Sequence, residues 1–205
     1  ANAKIIHLLR HGEGTHNEAC DDACTDDKYE DERYADAPLT ERGKQQATHA
    51  GSILGSARLD LILSSPLTRA LDTATRAHAV WSAANPSASE PKFVSLEHCR
   101  EGLTYGVHPC NRRRQISEIS KEYPNVDFSA ITSNTDTIWN AKRAESEKEL
   151  DARITLFLQW LNSREEKEVL VSTHCVFLHA LLKRCASQTS WFNRGEVRSY
   201  IMTFD

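Results

Sequence analysis

Leu9, Arg10, His11 and Gly12 follow directly on the apolar run Ile5, Ile6, His7, Leu8, so a cation, an imidazole and a turn-forming residue arrive where a buried strand should end. Such a position suits an anion. The planar Arg10 guanidinium matches phosphate or carboxylate oxygens, Gly12 lets backbone N–H groups approach them, and His11 is a candidate nucleophile. Taken alone, a solvated Arg-His pair at a strand end is the competing reading. Three distant segments favour chemistry. Ser64-Ser65-Pro66-Leu67-Thr68-Arg69-Ala70 follows the apolar Leu59, Leu61, Ile62 and Leu63, which sets Arg69 in the first turn of a helix, near its partly positive end. Val169-Leu170-Val171 leads through Ser172 and Thr173 to His174, repeating the order of strand, then histidine. Cys99-Arg100-Glu101 adds a carboxyl group.

These groups meet only if the strands carrying them end side by side. Apolar periodicity predicts strands near 4–10, 59–64, 93–96, 169–172 and 197–204, and helices near 40–54 (closed by Gly55), 67–81, 145–161 and 176–184. The helix at 145–161 presents Leu150, Ile154, Phe157, Leu158 and Leu161 to a sheet. A further helix starts at Arg112, Arg113 and Arg114, with Ile116 and Ile119 on one face. Residues 83–91 read as a loop. The acidic segment 21–36 reads as an exposed excursion near the pocket mouth, with a lid as the lesser alternative. Alternating strands and helices imply an α/β fold: a three-layer α/β/α sandwich with a mostly parallel central sheet flanked by helices, in a single domain spanning 1–205. Ligands of such sheets collect at the carboxyl ends of the strands, at a topological switch point.

Composition sets the bounds. A net charge of −4 over 205 residues speaks against nucleic acid as a partner, and no stretch approaches the roughly 20 apolar residues of a membrane span. No heptad run points to a coiled coil, and oligomeric state stays open. Cys20, Cys24, Cys99, Cys110, Cys175 and Cys185 are expected as free thiols in a reducing compartment, the cytoplasm. The chain opens on Ala1, so its start is expected to be processed or trimmed. His7, His11, His16, Cys20, Cys24, Asp21 and Asp22 crowd the N-terminal region, but without CxxC or HExxH spacing, so no metal is expected.

The residues just named resemble the histidine phosphatase superfamily, the phosphoglycerate-mutase-like family, along nearly the whole chain. Arg10-His11-Gly12 with Asn17 looks like its signature, Ser-Pro-Leu-x-Arg-Ala around Arg69 like its second arginine, and His174 like its second histidine. Glu101 resembles the proton donor, a surface carboxylate being the alternative and Glu13 the nearest rival. The segments 106–114 and 191–199 look most like a eukaryotic mutase-like branch. Two places depart from the pattern. Gly14 stands where the family often has Ser or Thr, with Thr15 a candidate replacement for the hydroxyl, and Cys175 stands where it often has Gly.

The resemblance implies a phosphoglycerate-mutase-like fold and a metal-independent phosphomonoesterase that needs no cofactor and acts on a small phosphorylated metabolite such as a sugar phosphate. Neutral His11 would attack phosphorus, Arg10, Asn17, Arg69, His174 and the Cys175 N–H would meet the phosphate oxygens, and Glu101 would protonate the departing alkoxide. Gly14, Thr15, His16 at the pocket rim and Arg113 are candidates for the substrate pocket, with Arg194 or Arg198 as further candidates for a second anion. A phosphoglycerate-type mutase is the first alternative; such members usually carry a longer insertion and a closing tail, whereas this chain ends at Asp205. A phosphate-binding module without turnover is the second.

Overall fold

The computed structural model describes residues 2–20, 30–187 and 190–204. Five strands, β1 (Asn2–Arg10), β2 (Leu61–Ser64), β3 (Lys92–Ser95), β4 (Glu168–Thr173) and β5 (Val197–Phe204), form one sheet in the order β3-β2-β4-β1-β5. The first four in that order run parallel, and β5 pairs antiparallel with β1. The chain therefore leaves β1, skips one place to build β2 and β3, and returns to insert β4 between β2 and β1. The switch point lies between β1 and β4.

Alternation of side chains along each buried strand decides which helices cover which face. Ile6, Leu8, Leu61, Leu63, Val169 and Val171 point to one side, where they pack against Leu150, Ile154, Phe157 and Leu161 of α5 (Glu147–Asn162) and Phe177, Leu178 and Leu181 of α6 (Cys175–Ala186). Leu9, Ile62 and Leu170 point to the other, against Ala50 and Leu54 of α2 (Glu41–Leu54) and Ala74, Ala77 and Trp81 of α3 (Thr68–Ala84). The short α1 (Thr15–Ala19) follows β1 in the chain, and α4 (Ile116–Glu122) packs Ile119 against Leu71 of α3 in a separate small cluster. The α/β sandwich with a mostly parallel sheet is thus the observed architecture.

Two local expectations change. The arginines 112–114 precede α4 rather than opening it, since the helix starts at Ile116; Ile119 is buried as its apolar spacing requires. The acidic segment is described only from residue 30 onward, and its end is not an exposed excursion. Asp36 is buried, accepting hydrogen bonds from the Thr68 N–H at 2.8 Å and from Arg114 Nε at 3.0 Å. It caps the N-terminus of α3, the helix that carries Arg69. Residues 21–29, including Cys24, lie outside the described residues.

Candidate active site

The parallel pairing of β1 with β4 puts Arg10 opposite Thr173, so the next residues, His11 and His174, leave adjacent strand ends together. Their rings stand 5.0 Å apart. A close backbone approach holds the first of them: a Cβ on Gly12 would sit 2.3 Å from the Gly43 carbonyl oxygen of α2, so only glycine fits there. The Gly12 N–H donates to Thr73 Oγ1 at 3.0 Å, which ties the turn to α3. His11 Nδ1 lies 2.6 Å from the Gly12 carbonyl. A carbonyl only accepts, so Nδ1 carries the proton and Nε2 keeps its lone pair.

Arg69 donates from Nε to that His11 Nε2 at 3.2 Å. Its other nitrogens are held by Cys110 O at 2.6 Å and Asn111 Oδ1 at 2.7 Å, which fixes the guanidinium plane. Asn111 is anchored in turn, because its carbonyl takes a 2.6 Å hydrogen bond from Arg100, itself paired two-pronged with Asp136. Burial pushes the Asp136 carboxyl up, but Arg100 outweighs it and holds the group at about 2. Arg10 gives Nη1 to the Phe192 carbonyl at 2.6 Å, while its Nε is buried with no partner among the described residues.

His174 sits at the N-cap of α6, fully buried, 2.8 Å from Ser65 Oγ through Nε2, and its Nδ1 is also without a partner among the described residues. The first turn of α6 collects a carboxylate: Glu101 Oε1 accepts from the N–H groups of Gly102 at 2.9 Å, Val176 at 3.0 Å and Phe177 at 3.3 Å. A nitrogen of each histidine and a Glu101 oxygen all lie within 4.8 Å of one another. Arg10, His11, His16, Asn17, Arg69 and Glu101 line one cleft of about 510 Å³. His174 is not among the residues lining this cleft but stands beside His11, so two guanidinium groups, the His11 imidazole and a carboxyl group meet there, an arrangement complementary to a tetrahedral anion.

Comparison with known proteins agrees with that geometry. The family model of the histidine phosphatase superfamily (branch 1) matches residues 6–195. The chain belongs to this family. A phosphoglycerate mutase-like protein of Arabidopsis thaliana is 35% identical over 87% of this chain and 73% of its own. A phosphoglycerate mutase from Bacillus anthracis shares the fold with a TM-score of 0.64 at 19% identity, covering 98% of this chain and 89% of its own. A mycobacterial glucosyl-3-phosphoglycerate phosphatase does so with a TM-score of 0.58 at 19% identity, covering 98% of both chains. Arg10, His11, Arg69 and Glu101 share the walls of the cleft with other side chains.

Several sequence expectations about those walls change. Arg113 is no pocket residue: its side chain is enclosed by Glu97 at 2.6 Å and by the carbonyls of Arg114, Ser133, Asn134 and Thr135, so it braces a loop. Thr15 begins α1 and bonds the Pro38 carbonyl through its N–H, without lining the cleft. A Cβ on Gly14 would lie 2.6 Å from the His16 ring, which occupies the room a serine or threonine would take. His16 itself is buried in the wall rather than at the rim, its ring 6.1 Å from His11. Asn17 spends Oδ1 on the Gly14 N–H at 3.0 Å, and Cys175 lines the cleft at the start of α6. Glu13 is tied to Thr40 Oγ1 and Arg194, which takes the rival proton donor out of the cleft. Arg198 turns away to Glu196 and the Trp191 carbonyl. Sequence reading missed Asn111, Tyr105, His108 and Trp191, all of which line the cleft.

Burial holds His11, His16 and His174 well below the ordinary histidine value of 6.5, and the charge of Arg69 adds to the effect in each. All three are neutral at pH 7. Because the folded-state values are depressed, the unfolded chain binds protons below pH 6.5 that the folded chain refuses, so stability is present above 6.5 and lost as pH falls through the window beneath it. Urea unfolding at about pH 7.5 and about pH 5.5 is expected to show the lower midpoint at the lower pH. An unchanged or higher midpoint would contradict the neutral, buried triad of imidazoles.

Proposed function

We propose that the chain is a metal-independent phosphomonoesterase that acts on a small phosphorylated metabolite, with a phosphohistidine at His11 as intermediate. One observation carries the reading: the Gly12 carbonyl fixes the His11 tautomer, so a neutral nitrogen lone pair stands beside Arg69 and within reach of a carboxyl group. In the first step the His11 Nε2–phosphorus bond forms as the ester P–O bond breaks, and protonated Glu101 gives its proton to the departing alkoxide. In the second, water adds to phosphorus, its proton passes to Glu101, and the N–P bond breaks to release phosphate. Arg10, Arg69, His174, the Asn17 amide and the Cys175 N–H would carry the charge on the equatorial oxygens.

The donors His11, Glu101 and His174 are also a set that could hold a metal ion. Two arginines around it favour an anion over a cation, which supports the metal-independent reading. Net charge of −4 supports a small substrate over nucleic acid, and no helix among the described residues is long and apolar enough to cross a membrane. Free thiols at Cys20, Cys99, Cys110, Cys175 and Cys185 support a reducing compartment such as the cytoplasm. The test is phosphate release from a panel of phosphate monoesters in EDTA, with phosphoglycerate isomerisation followed in parallel. Release in EDTA is expected. Isomerisation alone would mark a mutase, and neither activity would mark a phosphate-binding module.

A further inference from the structure

Outward of the two arginines the cleft is walled by Tyr105, Gly106, His108, Val176 and Trp191. If the inner residues hold the phosphate, this wall receives the alcohol half of the ester. Trp191 is 47% exposed and Tyr105 70% exposed, a large aromatic surface left at the mouth of a site. It is nevertheless fixed. One face of the Trp191 indole lies on the His179 ring, with centroids 4.0 Å apart and planes 8° from parallel, and Tyr105 meets Trp191 edge-on at 6.5 Å. His179 belongs to α6, the helix that also carries His174 and holds Glu101, so the indole plane and the reacting groups share one rigid support.

Among the described residues, Tyr105, His108, Val176 and Trp191 bring no lysine, arginine, carboxylate or amide side chain to this part of the cleft; the Glu101 carboxyl and the Asn17 and Asn111 amides also line it, with Asn111 Oδ1 held by Arg69 and Asn17 Oδ1 by the Gly14 N–H. Arg194, whose charge acts on His16, gives Nη1 to Glu13 at 2.9 Å. Beside Tyr105, His108, Val176 and Trp191 a carboxylate or second phosphate on the substrate would lose water without a dedicated cation, and sugar hydroxyls would lose water without the amides and carboxylates that usually replace it. A flat, weakly hydrated ring would lose little and would gain a stacking face.

Resting on the phosphatase reading of the site, we propose that its substrates are phosphate monoesters whose alcohol carries a planar aromatic ring, and that Trp191, with Tyr105 at its edge, is the stacking platform. The cleft, at about 510 Å³, has the size of a small-molecule site that takes both ring and phosphate.

The test compares benzyl phosphate with cyclohexylmethyl phosphate, two esters of primary alcohols that differ in ring flatness, and with 3-phosphoglycerate, using the whole chain. Benzyl phosphate is expected to show the highest kcat/KM, about tenfold above cyclohexylmethyl phosphate, the size of one ring stack. Trp191→Leu should bring the two within about twofold and Trp191→Phe should keep most of the preference, while inhibition by vanadate reports in both variants that the inner site is intact. Calorimetric binding of the same three esters to His11→Ala separates the two readings. Ring preference in binding without any wild-type turnover would uphold the platform and remove the phosphatase. Turnover with equal use of the flat and puckered rings, or a preference that survives in Trp191→Leu, would overturn the platform alone.

Discussion

Replacing His11 with alanine is expected to lower kcat/KM for phosphate release by about 10⁴ or more, because it removes the atom to which phosphorus transfers. His174 is held in a different orientation. Its Nε2 is bound to Ser65, and its ring is fixed at the N-cap of α6. Phosphate affinity should change far less than rate, since Arg10 and Arg69 remain; measured inhibition by phosphate in both proteins checks this. The variant leaves Arg69 Nε without its 3.2 Å acceptor, so a thermal melt belongs beside the kinetics. Retention of full activity by a folded His11→Ala protein would remove the nucleophile from the scheme.

Glu101→Gln is the second large effect, and its signature depends on the leaving group. The amide keeps an oxygen for the N–H groups of Gly102, Val176 and Phe177, so the loop geometry survives while the transferable proton is lost. For an alkyl phosphate kcat is expected to fall roughly 10²- to 10⁴-fold, the usual range for a general acid. A nitrophenyl phosphate behaves differently, because nitrophenolate leaves without a proton. Its first step is expected to stay fast and its second, which needs Glu101 as base, to become slow. Stopped-flow absorbance should then show a burst of nitrophenolate close to one per enzyme before slow turnover. Equal slowing of both substrates without a burst would assign the proton to another group.

The reacting groups were legible in the sequence because each is announced locally. Arg10 with His11, and His174, stand where an apolar strand meets a turn, and Arg69 stands where a strand gives way to a helix within five residues. Two adjacent parallel strands then oblige the two histidines to meet. What orients them was not legible. Asp36 caps α3 across 32 residues, Asn111 reaches Arg69 across 42, and Ser65 reaches His174 across 109. No periodicity encodes such contacts. The three successive arginines illustrate the limit: Arg112 pairs with Glu32, Arg113 is enclosed by Glu97 and loop carbonyls, and Arg114 bridges Asp36 and Glu122. Identical residue types in one run meet three different fates because the loop around them, not the run, sets their directions. Trp191 was unreadable for a related reason, since its partner His179 looks from the sequence like one more position on a helix.

The most direct measurement is rapid acid-free quenching of the enzyme during turnover of a phosphate monoester, followed by phosphorus NMR and peptide mapping of the trapped protein. The account predicts an acid-labile, alkali-stable phosphoramidate on His11, formed in EDTA, absent from His11→Ala and, with nitrophenyl phosphate as the ester, accumulating in Glu101→Gln. Turnover with no phosphorylated histidine, or with phosphate on a residue other than His11, would contradict it.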